Sequence, residues 1–442
     1  MFIKKTTKYT CLIFLLLLFA CSSDNNDVKE TGFKAELDVV FTFGGSNDDT
    51  ATDIIKTSDG GFAVLGNTSS IDGDITDKTT IENDYWFLKF DSQGNLEWNK
   101  TYGGSKDDLA QALIETNDGG YAIAGYSMSS DGDASVNNGY HDNWVIRLNA
   151  SGEIIWEKSF GYEGHDHAYD IIQTNEGDFL ISGFLDVTVS GGEGNTGRSS
   201  VTGHGVGEFW ATLLNANGEI KWQRYFGGSN NDRAHTVVQA NDGNFLLAGF
   251  TESADFDISA TNGSYDFWVL KVSNKGEKLW ERTYGGTGIE RANAIEKTAD
   301  NGFIIVGGSN SNDGMKKTAL GGNDVWAIKI NDTGKLLWEK SYGGSDFDDA
   351  TSITATNDGG FIITGNSKSL NNQLTENQGE NDIWVFKVNS SGDLIWQKSI
   401  GTSGLDFGFG AFQNDTGDFV YACGEVIATE SGSKELAVIR LK

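Results

Sequence analysis

Residues Asn323–Gly365 read NDVWAIKINDTGKLLWEKSYGGSDFDDATSITATNDGGFIITG, four short strand-like runs separated by turn signals. Versions of this stretch recur along nearly the whole chain. Aligned on the glycine that opens the Gly-Gly step or its counterpart, they start at Gly44, Gly103, Gly161, Gly227, Gly285, Gly343 and Gly401. The intervals are 59, 58, 66, 58, 58 and 58 residues. A fixed period of this size, with about four strands per unit, is the signature of a propeller-like array.

Each unit reads in the same way. Five residues after its glycine stands an acid (Asp49, Asp108, Asp166, Asp232, Glu290, Asp348, Asp406), and two further on a small residue such as Ala51 or Ala110. An apolar run follows, then a turn such as Asp59-Gly60 or Asp358-Gly359. Such dipeptides supply the positive φ of tight hairpins, so strands a and b form a hairpin. Strand b opens on an aromatic residue, from Phe62 to Phe419. Strand c is marked by Trp86, Trp144, Trp210, Trp268, Trp326 and Trp384, and strand d by Trp98, Trp156, Trp222, Trp280, Trp338 and Trp396. That places all 12 tryptophans, each able to bury roughly 150–250 Å². With no proline in the chain, its turns rest on Gly, Asn and Asp.

The D-x-x-G-x-x-x-W spacing at Asp91, Gly94 and Trp98, with a close variant from Asn331 to Trp338, resembles the tryptophan-docking repeat of quinoprotein-like propellers. The rest of the unit is similar to the β-propeller repeats of bacterial surface lipoproteins, over about residues 35–442. The resemblance implies that the strand-d indole packs between blades. On that reading, replacing Trp338 by Ala is expected to cost roughly 3–5 kcal/mol.

The two ends of the array complement each other. AELDVVFTFGG, from Ala35, aligns with a strand d that lacks its own a, b and c, whereas ELAVIRLK at the end aligns with a strand c followed by no d. Pairing Glu36–Phe43 with Leu436–Leu441, with Val39 in the place of a strand-d tryptophan, completes a seventh blade. The expected fold is therefore all-β, a seven-bladed β-propeller of four-stranded blades closed by the N-terminal strand.

Ahead of the propeller, residues 1–20 read as a signal peptide. Lys4, Lys5 and Lys8 precede an apolar run from Cys11 to Ala20, too short to span a bilayer. Leu18-Phe19-Ala20-Cys21 resembles a bacterial lipobox, which implies lipidation at Cys21. Residues 21–34 read as a flexible acidic tether. Its SSDNND opening resembles export signals of surface-displayed lipoproteins, so the expected address is a lipid anchor in the outer membrane facing the cell surface, with the periplasmic face as the alternative. Cys423 is then the one remaining thiol, in an apolar strand where a small core residue is the ordinary reading.

The formal net charge is −30, and loss of the three signal lysines takes it to about −33. That balance excludes nucleic acid, whose affinity rests on basic side chains. The sequence contains no G-x-S-x-G elbow, HExxH helix, P-loop or CxxC pair. The ring of connector acids reads either as a cation-attracting rim or as acceptors for backbone N–H groups of their own connectors, and sevenfold repetition favours the second. Asp-x-Asp loops (Asp72/Asp74, Asp131/Asp133, Asp255/Asp257) offer hard oxygen donors to calcium or another divalent metal, though none has EF-hand spacing.

The repeat breaks in its middle. All five histidines, His141, His165, His167, His204 and His235, lie in or beside d–a or b–c connections, which share one face of a four-stranded blade. The expected patch adds Asp166, Arg198, Tyr140, Tyr162 and Tyr169, beside an enlarged glycine-rich loop that accounts for the 66-residue interval. His165 and His167 are the candidate metal ligands, since imidazole is a common ligand and proton carrier near neutral pH. These features suggest a lipid-anchored binding or scaffold module for a glycan, peptide or partner protein. The alternatives are a metal- or carboxylate-dependent hydrolase or lyase acting on extracellular polymers, and a structural subunit of an envelope complex, because the fold by itself cannot choose.

Overall fold

The computed structural model describes residues 33–198, 203–427 and 432–442. Cys21, the signal segment and most of the tether lie outside the described residues. Within them the chain forms seven four-stranded antiparallel sheets. Blade 1 comprises Asp49–Lys56, Phe62–Thr68, Asp84–Phe90 and Leu96–Tyr102, as strands a to d. Blades 2, 3 and 4 begin with Asp108–Glu115, His167–Gln173 and Asp232–Gln239, and blades 5 and 6 with Glu290–Lys297 and Asp348–Ala355. Strand a of every blade touches strand a of the next, and blade 7 returns to blade 1.

Blade 7 joins Phe407–Gln413, Val420–Ile427 and Lys434–Leu441 to the N-terminal strand Leu37–Phe43. The register runs from Phe43 opposite Leu436 to Leu37 opposite Leu441. Val39 faces Arg440 where Trp98 of blade 1 faces Lys89, so the valine does occupy the tryptophan position. A charged clamp reinforces the closure, with Asp38 accepting from Arg440 Nε at 2.8 Å and from Lys442 Nζ at 2.6 Å.

Burial follows position in the blade. Strands b and c are covered by neighbouring blades on both faces and are buried nearly end to end, as in Phe361–Ser367 and Asp382–Val388. Strand d lies outermost and is buried chiefly at its end near the next connector. Strand a carries a bulge in each blade, at Thr52, Gln111, Tyr169, His235, Asn293, Thr351 and Phe409. A bulge re-aims one side chain, and here it turns those seven residues into a central cavity of about 420 Å³ lined by strand a of all seven blades.

The two tryptophan sets differ in burial. The strand-c indoles, such as Trp86 and Trp326, are wholly enclosed. The strand-d indoles lie against the c–d turn of the next blade, where an added Cβ at Gly152 would meet Trp98 at 2.8 Å and one at Gly392 would meet Trp338 at 3.0 Å. Blade 7 has no such turn, and Phe33 takes its place against Trp396 at 5.1 Å. Of the strand-d set only Trp222 is fully buried, whereas Trp338 is half-buried, because the outermost strand keeps one side open to water. This corrects the larger cost anticipated for it. Trp326→Ala is expected to cost about 3–5 kcal/mol and Trp338→Ala about 1–3 kcal/mol in urea unfolding at equilibrium. Equal losses at the two sites would show that the indoles are equally enclosed.

Candidate functional site

The connector acids fix the face on which the site lies. Asp108 is typical: its carboxylate accepts from Gly104 N at 2.7 Å and Ser129 Oγ at 2.9 Å, and also from Ser127 Oγ. Asp49, Asp232 and Asp348 repeat that set. All seven acids are fully buried. They bind their own connectors rather than forming an open cation-attracting rim. The Asp-x-Asp loops serve the same connectors: Asp131 accepts from Ser105 N at 2.8 Å and Asp133 from Gly103 N at 3.2 Å.

Behind each of six connectors lies a second acid, at the start of strand c. Asp84, Asp142, Glu208, Asp266, Asp324 and Asp382 are buried, and each has one carboxyl oxygen without a hydrogen-bond partner. At five of the six that oxygen sits close to where a Cβ on the connector glycine would be, for example 2.2 Å from it at Gly103, so a side chain there would have to displace the buried carboxyl. Burial, with the neighbouring connector acid adding repulsion, pushes Asp84 up to about 7 and Glu208 up to about 10.

At the junction of blades 2 and 3 this framework carries imidazoles. The chain entering strand c of blade 2 runs alongside the blade 3 connector, with Asp166 N–H donating to the carbonyl of His141 at 2.8 Å and Tyr140 N–H to that of Gly164 at 2.9 Å. His141 and His165 thereby lie side by side. Gly164 has φ +109°, and an added Cβ would meet Val189 at 2.3 Å, so only glycine fits there. Val189 belongs to one helical turn, Val187–Ser190, in the enlarged loop, which braces the connector from outside.

Three ring nitrogens converge. His141 Nδ1 is 2.9 Å from His167 Nε2 and 2.9 Å from His165 Nδ1, and the ligating atoms of the three residues all lie within 4.8 Å of one another. His141 and His167 are half-buried and His165 is exposed. Burial, with His141 and His165 adding repulsion, holds His167 down to about 3, and burial with repulsion from His165 lowers His141. Tyr126 stacks on His167 at 3.8 Å, Tyr140 lies parallel to His165 at 5.3 Å, and the Tyr169 hydroxyl is 3.5 Å from His167 Nδ1.

The other expected members disperse. His235, aimed inward by its bulge, meets Ala292 O at 3.0 Å and touches the cluster only through Tyr169, at 5.4 Å. His204 stacks on Phe256 and lies 3.3 Å from Glu208, a pair kept neutral because burial lowers the imidazole and raises the carboxyl. Tyr162 turns toward Trp210 and the enlarged loop. Arg198 lies where that loop descends beside strand d of blade 3, and pairs with Glu277 at 2.6 Å on the c–d turn of blade 4. Asp166 accepts from Tyr162 N at 2.6 Å and Asp186 N at 3.1 Å, and its carboxyl is pushed by burial up to about 7.

One pattern went unread in the sequence. The residue after the strand-b glycine is aromatic in blades 2, 3 and 4 (Tyr126, Phe184, Phe250), and strand a of the following blade lays His167, Arg233 or Arg291 over it. Arg233 sits 4.2 Å from the Phe184 centroid, and Arg291 lies 5.4 Å from Phe250 and 4.9 Å from Tyr265. Aligning the position after Gly125, Gly183 and Gly249 would have found the ladder.

The sheets, their order and their closure define a seven-bladed β-propeller. No protein-family model matches the chain. It is 24% identical over 401 residues to the regulatory protein FlaEY of Caulobacter vibrioides, a match covering 78% of this chain and 39% of that protein. The chain thus spans about two fifths of the length of that relative. Similar solved structures include the WD40 domain of Neurospora crassa Pan2 (TM-score 0.49, 10% identity, 88% of this chain and 89% of that one). Another is Sqt1 from Chaetomium thermophilum (TM-score 0.45, 10% identity, 93% and 99%).

The buried carboxyls give the stability a sign with pH. Asp84, Asp170 and Asp349 are raised by burial to about 7, and Glu208 to about 10. A raised carboxyl binds its proton more tightly when folded, so its contribution is fully present below about pH 4 and is lost as pH rises through the folded value, about 7 for the three aspartates and about 10 for Glu208. His167 and His235, held at about 3 and 4 by burial, act oppositely below about pH 6.5, but the raised carboxyls outnumber them. The melting temperature is expected to rise from pH 7.5 to 5.5, with a smaller slope in Glu208→Gln. A melting temperature that falls over this interval would show that these carboxyls are solvated.

Proposed function

We propose that this chain is a lipid-anchored, extracytoplasmic binding or scaffold module, held in the outer membrane through Cys21 and facing the cell surface. Its ligand docks over blades 2 to 5, on the face bearing the d–a and b–c connections. The observation that carries this reading is the ladder of Tyr126, Phe184 and Phe250 under His167, Arg233 and Arg291. Sevenfold features serve the ring, whereas this one occupies a single sector and, through Arg233 and Arg291, places two guanidinium groups there in a chain of net charge −30. Exposed rings border it: Tyr140 is 64% and Phe256 54% accessible, more than a structural aromatic needs. Guanidinium groups backed by aromatic faces suit carboxylate or sulfate groups, so an acidic glycan or an acidic stretch of a partner protein is the class of ligand. The Caulobacter relative is named a regulatory protein, which fits a binding role. The tryptophan-docking likeness concerns the packing of the ring and adds no activity.

Two measurements test the reading on the full chain in cells. Fatty-acid labelling should mark the parent and be lost in Cys21→Ser together with the membrane fraction. Beads bearing alginate, polygalacturonate or heparin, with surface cross-linking for protein partners, should capture the parent, and a Tyr140→Ala/Arg291→Ala variant should bind about 10-fold or more weakly. Full capture by that variant would move the docking face elsewhere.

A further inference from the structure

We propose that His141, His165 and His167 bind one zinc-class divalent ion at the junction of blades 2 and 3, through His141 Nδ1, His165 Nδ1 and His167 Nε2. The inference stands on the three rings and does not depend on the docking reading above. Two imidazole nitrogens on a tetrahedral zinc, each bonded at about 2.0–2.1 Å, sit roughly 3.3 Å apart. The two separations from His141 Nδ1, 2.9 and 2.9 Å, fall about 0.4 Å short of that value, and the ligating atoms of the three residues all lie within 4.8 Å of one another.

Hydrogen bonding alone accounts poorly for the arrangement. An imidazole nitrogen has one in-plane lobe, occupied by a proton or by a lone pair. His141 Nδ1 faces two ring nitrogens at 2.9 Å, and one lobe cannot point along both directions. An ion placed among the three satisfies all the lone pairs together. The donor set selects the metal: three neutral nitrogens suit zinc, nickel, copper or cobalt, whereas calcium and magnesium need oxygen.

The repeat provides an internal control. The counterparts of His141 are Asn83, Gly207, Tyr265, Asn323 and Asn381, and several of these asparagines brace the neighbouring connector, as Asn323 Nδ2 does by donating to Asp348 O at 2.7 Å. The counterparts of His165 are Asp48, Asp107, Asn231, Ile289, Phe347 and Leu405, and those of His167 are Thr50, Leu109, Arg233, Arg291, Asp349 and Phe407. No other junction has an imidazole at any of these positions, and this one has all three. The surroundings hold the rings in place: Tyr126 stacks on His167, and the Tyr169 hydroxyl stands at its second nitrogen, where metal-bound histidines usually have a polar partner. Three protein ligands leave a tetrahedral ion a fourth position for water or a donor group of a bound molecule.

The test is titration calorimetry with zinc chloride alone, on the full chain purified in detergent and stripped with chelator, in excess calcium to occupy the acidic surface. One ion per chain is expected. His165→Ala and His167→Ala should each weaken it by about 100-fold or more, while His204→Ala and His235→Ala should titrate like the parent. Cobalt should give the visible absorption of a tetrahedral nitrogen site in the parent and not in His165→Ala. Because His165 is exposed, its variant should melt like the metal-free parent, which keeps the result decisive even if His167→Ala folds poorly. A parent that takes up no stoichiometric zinc, or a His165→Ala variant that binds zinc as the parent does, overturns the site. Failed glycan or protein capture with zinc binding intact would count against the docking reading alone.

Discussion

The buried connector carboxylate is the interaction on which the rest of the structure depends. Between strand d of one blade and strand a of the next, the chain must reverse with its amide groups enclosed. A carboxylate can accept several N–H and O–H groups at once, and buried donors left without an acceptor are costly. Asp49, Asp232 and Asp348 each take the amide of the glycine step and hydroxyls two strands' ends away. All seven connector acids accept the amide four residues before them, so whatever side chains flank the acid are delivered to the same face.

Blade 3 departs from that pattern in an informative way. Where blade 1 supplies Thr68 and Ser70 to Asp49, blade 3 has Leu185 and Val187, and Asp166 turns instead to the amide of Asp186. The enlarged loop then folds back as the turn Val187–Ser190 against Gly164. Loss of two hydroxyls, insertion of a loop and appearance of His165 and His167 are thus one local remodelling. The turn lies against the connector that carries His165 and His167.

Much of this was legible in the chain because the repeat makes every assignment seven times over. The strand ends fixed the closure, and the register of Leu37–Phe43 follows from aligning Ala35–Gly45 on strand d. The candidate site was legible only in part. His165 and His167 stand either side of Asp166, but their meeting with His141 is set across a blade junction, by backbone bonds that no local spacing reveals. Position in a loop also misled: His235 was expected on the face, and the strand-a bulge aims it into the cavity. Arg198 was expected beside the histidines, and the descending loop takes it to the opposite end of the sheet.

The closing strand pair has a consequence for how the molecule is made. Leu37–Phe43 is the earliest strand of the array, and its partner, Lys434–Leu441, is the last. Six blades can assemble from neighbours close in the chain, but the ring stays open until the final residues arrive, and contacts so distant in sequence form slowly. During that interval the first strand and the last sheet both present bare edges, ready to pair with another copy. A stalled or truncated chain lacking Lys434–Leu441 would leave Leu37–Phe43 without its partner strand.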